Sequence, residues 1–385
     1  MILKRSPSGA WDAVWNLSSA YLWIAGTDDS TNVGASVALS GDIAILGAPW
    51  QQFLGPCTTW YGNPNTYCGS RAFHRQGPGF ALVFERNADA TSSWTLSGNL
   101  TASDLTYDVN PQFGRDVAIS DGYALASTGR HNRAGTTIRA SVYVFERAGS
   151  TWATWTQTTK LVSPSTNSYN SHDNFGASIA ISGEYALIGA SSDSHNGYYA
   201  GAAYVYERSS TGAWEQKSKL VAFDAARNDQ FGYHVSLSGD YALIGSPYDH
   251  ARGQSSGSAY VFARSATTGD WTLDAKLIAT NSAPGDRFGE SVSISGTRVL
   301  IGAPGKASAF GGSGVAYLFE RQQDGTWKET GKLTDFDGVY SEFAKAVSVS
   351  SEYAAAANIA SNYHYSSDSS HMYVIANITS ATDRG

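Results

Sequence analysis

Charge is scarce in this chain. Asp, Glu, Lys and Arg make up 15% of its 385 residues, with a formal net charge of −7. The lysines and arginines form no basic stripe, so the electrostatic footprint of a nucleic-acid binder is missing. No run of about 20 apolar residues occurs, and no segment qualifies as a membrane-spanning helix. The opening residues, MILKRSPSGAW, lack the apolar core of a signal peptide, which leaves either a route without one or a leader already removed. Catalytic signatures are missing too: there is no GxSxG elbow, no HExxH and no phosphate-cradling glycine loop. Carboxylates assembled from separate loops would escape any spacing rule, so enzymatic action stays open, with the balance against it.

Cysteine is equally sparse. The two that occur, Cys57 and Cys68, both lie in an insertion over 49–78 and are flanked by Gly, Pro and Asn. They read as a disulfide across one loop, the alternative being two free thiols. Such a loop-closing bond contributes on the order of 3 kcal/mol. Glycosylation tripeptides begin at Asn16, Asn99 and Asn377. Together these features place the chain in an oxidising compartment, secreted or at the cell surface.

What the chain has in abundance is glycine (40 residues), tyrosine (22), tryptophan (11) and repetition. Three phrases each occur six times. The first is an FG-led run such as FGASIAISGEYALIGAS; its copies start near 33, 113, 175, 231, 288 and 343. The second is AYVFER or a close variant, starting at Ala81, Val142, Ala203, Ala259, Ala316 and Met372. The third is Trp, four residues, Lys or Asn, then Leu, starting at Trp11, Trp94, Trp155, Trp214, Trp271 and Trp327. Repeats of this length signal a solenoid, an array or a propeller.

The third repeat predicts four short strands: Ser178–Ser182, Tyr185–Gly189, Ala202–Arg208 and a fourth over 214–221. Its apolar residues do not alternate strictly, as expected when both sheet faces are packed. The third phrase precedes the first FG run, yet none follows the last AYVFER segment. Residues Trp11–Leu17 would therefore complete the last repeat. The fold expected is an all-β, six-bladed β-propeller of four-stranded antiparallel blades, closed by the N-terminal strand joining the last blade, with seven blades as the alternative. All of 1–385 would then be one domain.

The sequence FGYHVSLSGDYALIGSP…AYVFAR…W…KL, repeated with small changes, resembles the FG-GAP repeat of integrin α-chain propellers, and most closely the microbial type. The resemblance runs from Trp11 to about Asn377. It implies a β-propeller with an extracellular binding or adhesion role. Integrin-type repeats carry a DxDxDG calcium loop. Here the corresponding hairpin is a bare SGD, SGE or SGT turn, so no cofactor is firmly implied, and calcium would need another site.

Function is expected on the face carrying the second-to-third-strand loops, which vary while the hairpin turns repeat. Those loops hold the ligand-binding candidates Trp50, His131, His195, Tyr248, His250, Tyr363 and His364. For the histidines the repeat itself is the first explanation, ahead of ligand contact and of a metal. Asp173, Asp229 and Asp286, each just before FG, read as turn-capping residues. The Glu-Arg pairs, Glu207–Arg208 among them, read as structural. The expected partner is an extracellular glycan or protein. A polysaccharide hydrolase or lyase and a purely structural surface module are the alternatives.

Overall fold

The computed structural model describes residues 2–5, 11–15, 33–49, 51–54, 74–87, 93–105, 111–129, 131–133, 136–149, 154–164, 173–307, 313–334, 342–357 and 372–376. Among the described residues every regular element is a β-strand, and none is a helix. The chain divides into two compact units, Met1–Val162 and Ser163–Gly385.

The second unit holds three four-stranded sheets and one of three strands, each arranged in simple sequence order. The sheet of the third repeat runs Phe175–Ser182, Tyr185–Ala190, Ala202–Arg208 and Trp214–Leu220, all neighbours antiparallel. The fourth repeat gives Val235–Ser238, Tyr241–Ser246, Ser258–Arg264 and Trp271–Leu277. The fifth gives Ser291–Ser295, Arg298–Ala307, Ser313–Arg321 and Trp327–Thr334. The sixth gives Ala346–Val349, Tyr353–Ala357 and Met372–Ala376.

The first unit holds two four-stranded sheets. One is Ser36–Ser40, Ile43–Ala48, Phe80–Arg86 and Trp94–Leu100. The other is Val117–Ser120, Tyr123–Ser127, Ser141–Ala148 and Thr154–Val162. A separate hairpin pairs Ile2–Arg5 with Trp11–Trp15. This corrects the expected partner of Trp11: its strand pairs with Ile2–Arg5, across a Ser-Pro-Ser-Gly stretch that suits a turn. The sheet of the last repeat has three strands among the described residues.

Each repeated phrase has a packing reason. In AYVFER the side chains alternate between sheet faces with period two. In the fourth repeat, Tyr260 and Phe262 pack toward the preceding sheet with Phe231, Leu187 and Val205. Ala259 and Val261 face the following sheet and meet Phe288, Tyr317 and Phe319. Large rings on one face thus fit small side chains on the next, which fills the inter-sheet space at native density. The Phe of FG supplies the third ring. Phe231 lies edge-on to Tyr260 (5.2 Å between centroids) and Phe262 (6.1 Å), and Phe113 and Phe288 repeat the arrangement in their own sheets. Burying one such ring contributes about 1.5–3 kcal/mol.

The Trp phrase needs a bulge. Along the fourth repeat's outer pair, Arg264 faces Trp271 and Ala259 faces Leu277, so five steps on one strand match six on the other. The register shift falls between Val261 and Phe262, and the first, second, third and fifth repeats shift at the equivalent place. An extra residue reverses which face the strand presents beyond it. Trp271 therefore packs with the preceding sheet, against Tyr185 (6.0 Å), while Leu277 packs with the following one.

At the opposite strand ends, the SGD-type turns pair with the Arg of the same repeat: Arg86 with Asp42, Arg208 with Glu184 and Arg264 with Asp240. The partner is thus the turn acid rather than the adjacent Glu. Pairs this exposed are worth under about 1 kcal/mol each.

Candidate functional site

At the end of each sheet where the second strand passes to the third, the chain also passes from one repeat to the next. The three phrases meet there. In the third repeat, the Tyr204 hydroxyl donates to Asp193 Oδ2 (2.7 Å), and Lys219 Nζ reaches both oxygens of the same carboxylate (3.0 and 3.2 Å). In the fourth, Lys276 lies 2.6 Å from Asp249 and 2.6 Å from Asp224, with Tyr260 donating at 2.9 and 2.8 Å. In the second, Tyr143 and Lys160 meet Asp104 at 2.8 and 2.5 Å.

The Tyr of AYVFER and the Lys of the Trp phrase thus clamp an acidic residue of a loop. Burial pushes the Asp249 carboxyl up, but hydrogen bonds from Lys276, Ser258 and Tyr260 outweigh it and hold it below the usual range. The phenol of Tyr260 is driven up by burial and by Asp249. These groups are saturated with partners and fix the loops.

The fixed loops share one backbone. Asp193 and Asp249 each accept a bond from the glycine that closes the loop, Gly201 N and Gly257 N, both at 2.9 Å. Gly197 and Gly253 stand at φ +133° and +123°, and Tyr199 and Ser255 at +54° and +51°. Tyr199 O accepts from Gln230 N (3.0 Å), and Ser255 O from Arg287 N (3.1 Å), which ties each loop to the next repeat. The side chains differ: Tyr198 and Tyr199 in one loop correspond to Gln254 and Ser255 in the other.

Tyr198 and Tyr199 stack at 4.0 Å with a 25° interplanar angle, and Tyr198 is 53% exposed. The Arg227 guanidinium sits over the Tyr198 ring at 5.2 Å and makes no ion pair among the described residues.

His195 is exposed, and its backbone N–H donates to Asp193 Oδ1 (2.9 Å). Tyr248 is half-buried and meets Tyr233 edge-on at 6.2 Å, while His250 Nδ1 lies 2.8 Å from the Tyr248 carbonyl. Those two candidates come together. His131 begins the short strand His131–Arg133, paired with Thr136–Ile138. Trp50, Tyr363 and His364 lie outside the described residues, as do Cys57, Cys68, Asn16 and Asn377. Asn99 is exposed on an outer strand, at the place Lys occupies in later repeats. Among the described residues no group of three His, Cys, Asp or Glu side chains could hold a metal ion.

The aspartates before FG cap turns. Asp229 Oδ2 accepts from Ala226 N (2.7 Å), Asp286 Oδ2 from Ala283 N (2.7 Å) and Asp173 Oδ1 from Phe175 N (3.1 Å). Burial pushes the Asp229 carboxyl up to about 6.

One cluster escaped the sequence reading. Arg287 bonds Glu342 (3.0 Å) and pairs with Glu290 (3.2 Å), and Lys345 pairs with Glu342. Glu290 is buried, which raises its carboxyl against the pull of Arg287 and Lys345. The available signal was positional. The residue before FG is Gln112, Asn174, Gln230 or Arg287, and each holds a positive φ of 54–59°.

Consecutive four-stranded antiparallel sheets, each entered through an FG-led strand, define a β-repeat protein built from units of the kind that serve as propeller blades. The model of the FG-GAP repeat matches residues 155–206, 214–262 and 271–319, so FG-GAP repeats are present in these segments. No curated protein matches it. Among solved structures, the chain is similar to Sqt1 of Saccharomyces cerevisiae, with 11% identity, 86% of this chain and 81% of that one covered, and a TM-score of 0.41. It is also similar to a protein from Lactobacillus plantarum, with 13% identity, 78% of each chain covered and a TM-score of 0.47. No helix of the described residues is long and apolar enough to cross a membrane.

Proposed function

We propose that this chain is an extracellular binding module, secreted or displayed at a cell surface, that recognises a glycan or protein through the loop-bearing ends of its sheets. One observation carries the reading. The loops beginning at Asp193 and Asp249 have the same backbone, locked by buried Asp–Tyr–Lys clamps, but present different side chains to solvent. A rigid frame with variable exposed residues is the usual design of a binding surface. The opposite ends carry short turns whose charges are neutralised in place.

The same proposal includes a single closed ring of six blades. In later repeats, the positions equivalent to Val37 and Leu39 are buried against the preceding sheet, as Val235 and Leu237 are. Val37 and Leu39 themselves are 64% and 59% exposed. A covering sheet would complete that face.

The test is binding to a glycan array and to cell-surface protein, with Trp50→Ala, Tyr248→Ala and Tyr363→Ala made singly. At least one should weaken binding about tenfold or more with folding intact, as anchoring aromatics do. Asp42→Asn, Glu184→Gln and Asp240→Asn should leave affinity unchanged. The reverse pattern would place binding on the turn ends.

A further inference from the structure

The loop Ser191–Gly201 contains a residue its own fold does not require. Tyr199 sits at φ +54°, a conformation that bulky side chains rarely adopt. The equivalent loop reaches the same φ with Ser255, makes the same bond to the next repeat and closes on its glycine in the same way. A tyrosine at 199 is therefore not needed to form the turn. Nor does it complete the apolar core, because its ring stacks on Tyr198, which is mostly in solvent. An unfavourable backbone conformation kept at a half-buried position outside the core, beside an exposed ring, points to a functional demand.

The neighbourhood says what kind. Asn228 N donates to Tyr198 O (2.9 Å) and Gln230 N to Tyr199 O (3.0 Å), so the segment around Arg227 is bonded to the tyrosine loop as one body. Arg227 is exposed, lies over Tyr198 at 5.2 Å and faces no carboxylate among the described residues. Most cations at these sheet ends, such as Lys219 and Lys276, are spent on loop aspartates. Here a guanidinium stays open beside two phenols. The hydrogen bond to Tyr198 holds the Tyr199 phenol above its ordinary value and ties the two rings together.

We propose that Tyr198, Tyr199 and Arg227 form a binding site for an acidic sugar of a glycan, a uronate-type pyranose. Its C–H surface packs against the exposed edge of the tyrosine pair and its carboxylate pairs with Arg227. A ring with an apolar face and a polar rim matches phenols whose hydroxyls lie at the edge of a stack. A planar guanidinium binds a carboxylate through two parallel bonds. This inference rests on the reading of the loop-bearing ends as the binding face and assigns one subsite and its chemistry.

The experiment titrates the full chain with an oligogalacturonate and with its neutral methyl ester, by calorimetry. The wild type should prefer the acidic form at least tenfold. Arg227→Gln should erase that preference, and Tyr198→Ala should weaken both ligands tenfold or more. Tyr199→Ser, which copies the residue found at 255, should fold normally and bind the acidic oligosaccharide at least fivefold more weakly. Equal affinity of wild type and Arg227→Gln for the acidic form would overturn the assignment. Binding that survives all three changes but is lost in Tyr248→Ala would overturn this subsite and leave the binding face standing. Failure of both oligosaccharides to bind, or binding only to an acidic peptide carried as a control, would overturn the sugar class.

Discussion

A Cβ placed on Gly189 would fall well inside contact with the carbonyl oxygen of Gly232, the glycine of the next repeat's FG. Gly245 stands in the same relation to Gly289, and Gly47 to Gly114. In these three pairs the second strand of one sheet and the entry to the next are backbone against backbone. Gly189→Ala or Gly245→Ala should cost about 3 kcal/mol or more, because neither backbone has room to yield. Gly183→Ala, in an open turn at φ +55°, should cost only about 1 kcal/mol from its conformation. Urea denaturation of the two sets compares them directly, and equal losses would contradict the close approach.

The last repeat replaces FG with Phe343-Ala344, and Ala344 keeps φ +64°. The other FG glycines, Gly114, Gly176, Gly232 and Gly289, take +78° to +93° with no steric penalty. Ala344→Gly should therefore stabilise the chain by up to about 1 kcal/mol, the extra freedom of glycine in the unfolded chain offsetting part of the gain. A drop in melting temperature would argue against the backbone reading.

Lys276 is shared by Asp224 and the buried Asp249. Lys276→Met keeps the stem but leaves Asp249 without its cation. The expected loss is about 3 kcal/mol, since breaking a buried pair strands the remaining charge. Adding Asp249→Asn to that variant should recover part of it, and denaturation of the single and double variants measures the recovery.

Asp229 gives a pH signature. Its folded carboxyl keeps a proton up to about pH 6, because of burial, whereas the ordinary value is 3.8. Between those values the folded state binds more protons than the unfolded one, so this residue's contribution to stability falls as pH rises from 4 to 6. Asp249 acts in the opposite sense: its lowered carboxyl contributes stability above pH 4 that is lost as acid protonates it. Asp229→Asn should flatten the decline between pH 4 and 6 specifically. Melting temperatures across that range would show it, and an unchanged slope would refute it.

The ring proposal makes Leu39 decisive. If another sheet covers the face holding Val37 and Leu39, Leu39→Ser should cost about 2 kcal/mol or more, as core truncations do. At a truly solvent-exposed position the same change should stay within about 0.5 kcal/mol. Thermal unfolding of this single variant decides between the two.

The sequence by itself determined the all-β class, the repeat frame and the strands of the third repeat that it was read for. Ser178–Ser182, Tyr185–Gly189 and Ala202–Arg208 were legible because a period of two and glycine-led turns are local properties. The reason for each phrase was not legible. Trp271 and Leu277 are six residues apart, and plain alternation would put them on one face. Only the bulge opposite Val261 and Phe262 sends them to different sheets. The role of Tyr260 and Lys276 is likewise invisible in one dimension, since their aspartates come from two loops, 36 and 27 residues away from them in sequence. Among the candidate site residues, composition pointed to the histidines and aromatics of the second-to-third-strand loops, Tyr198 and Tyr199 among them. The stacking of those two rings and the place of Arg227 over Tyr198 belong to the tertiary structure. An open guanidinium beside an exposed ring depends on what neighbouring elements leave unsatisfied, and that is settled only when the loops of consecutive repeats are bonded together.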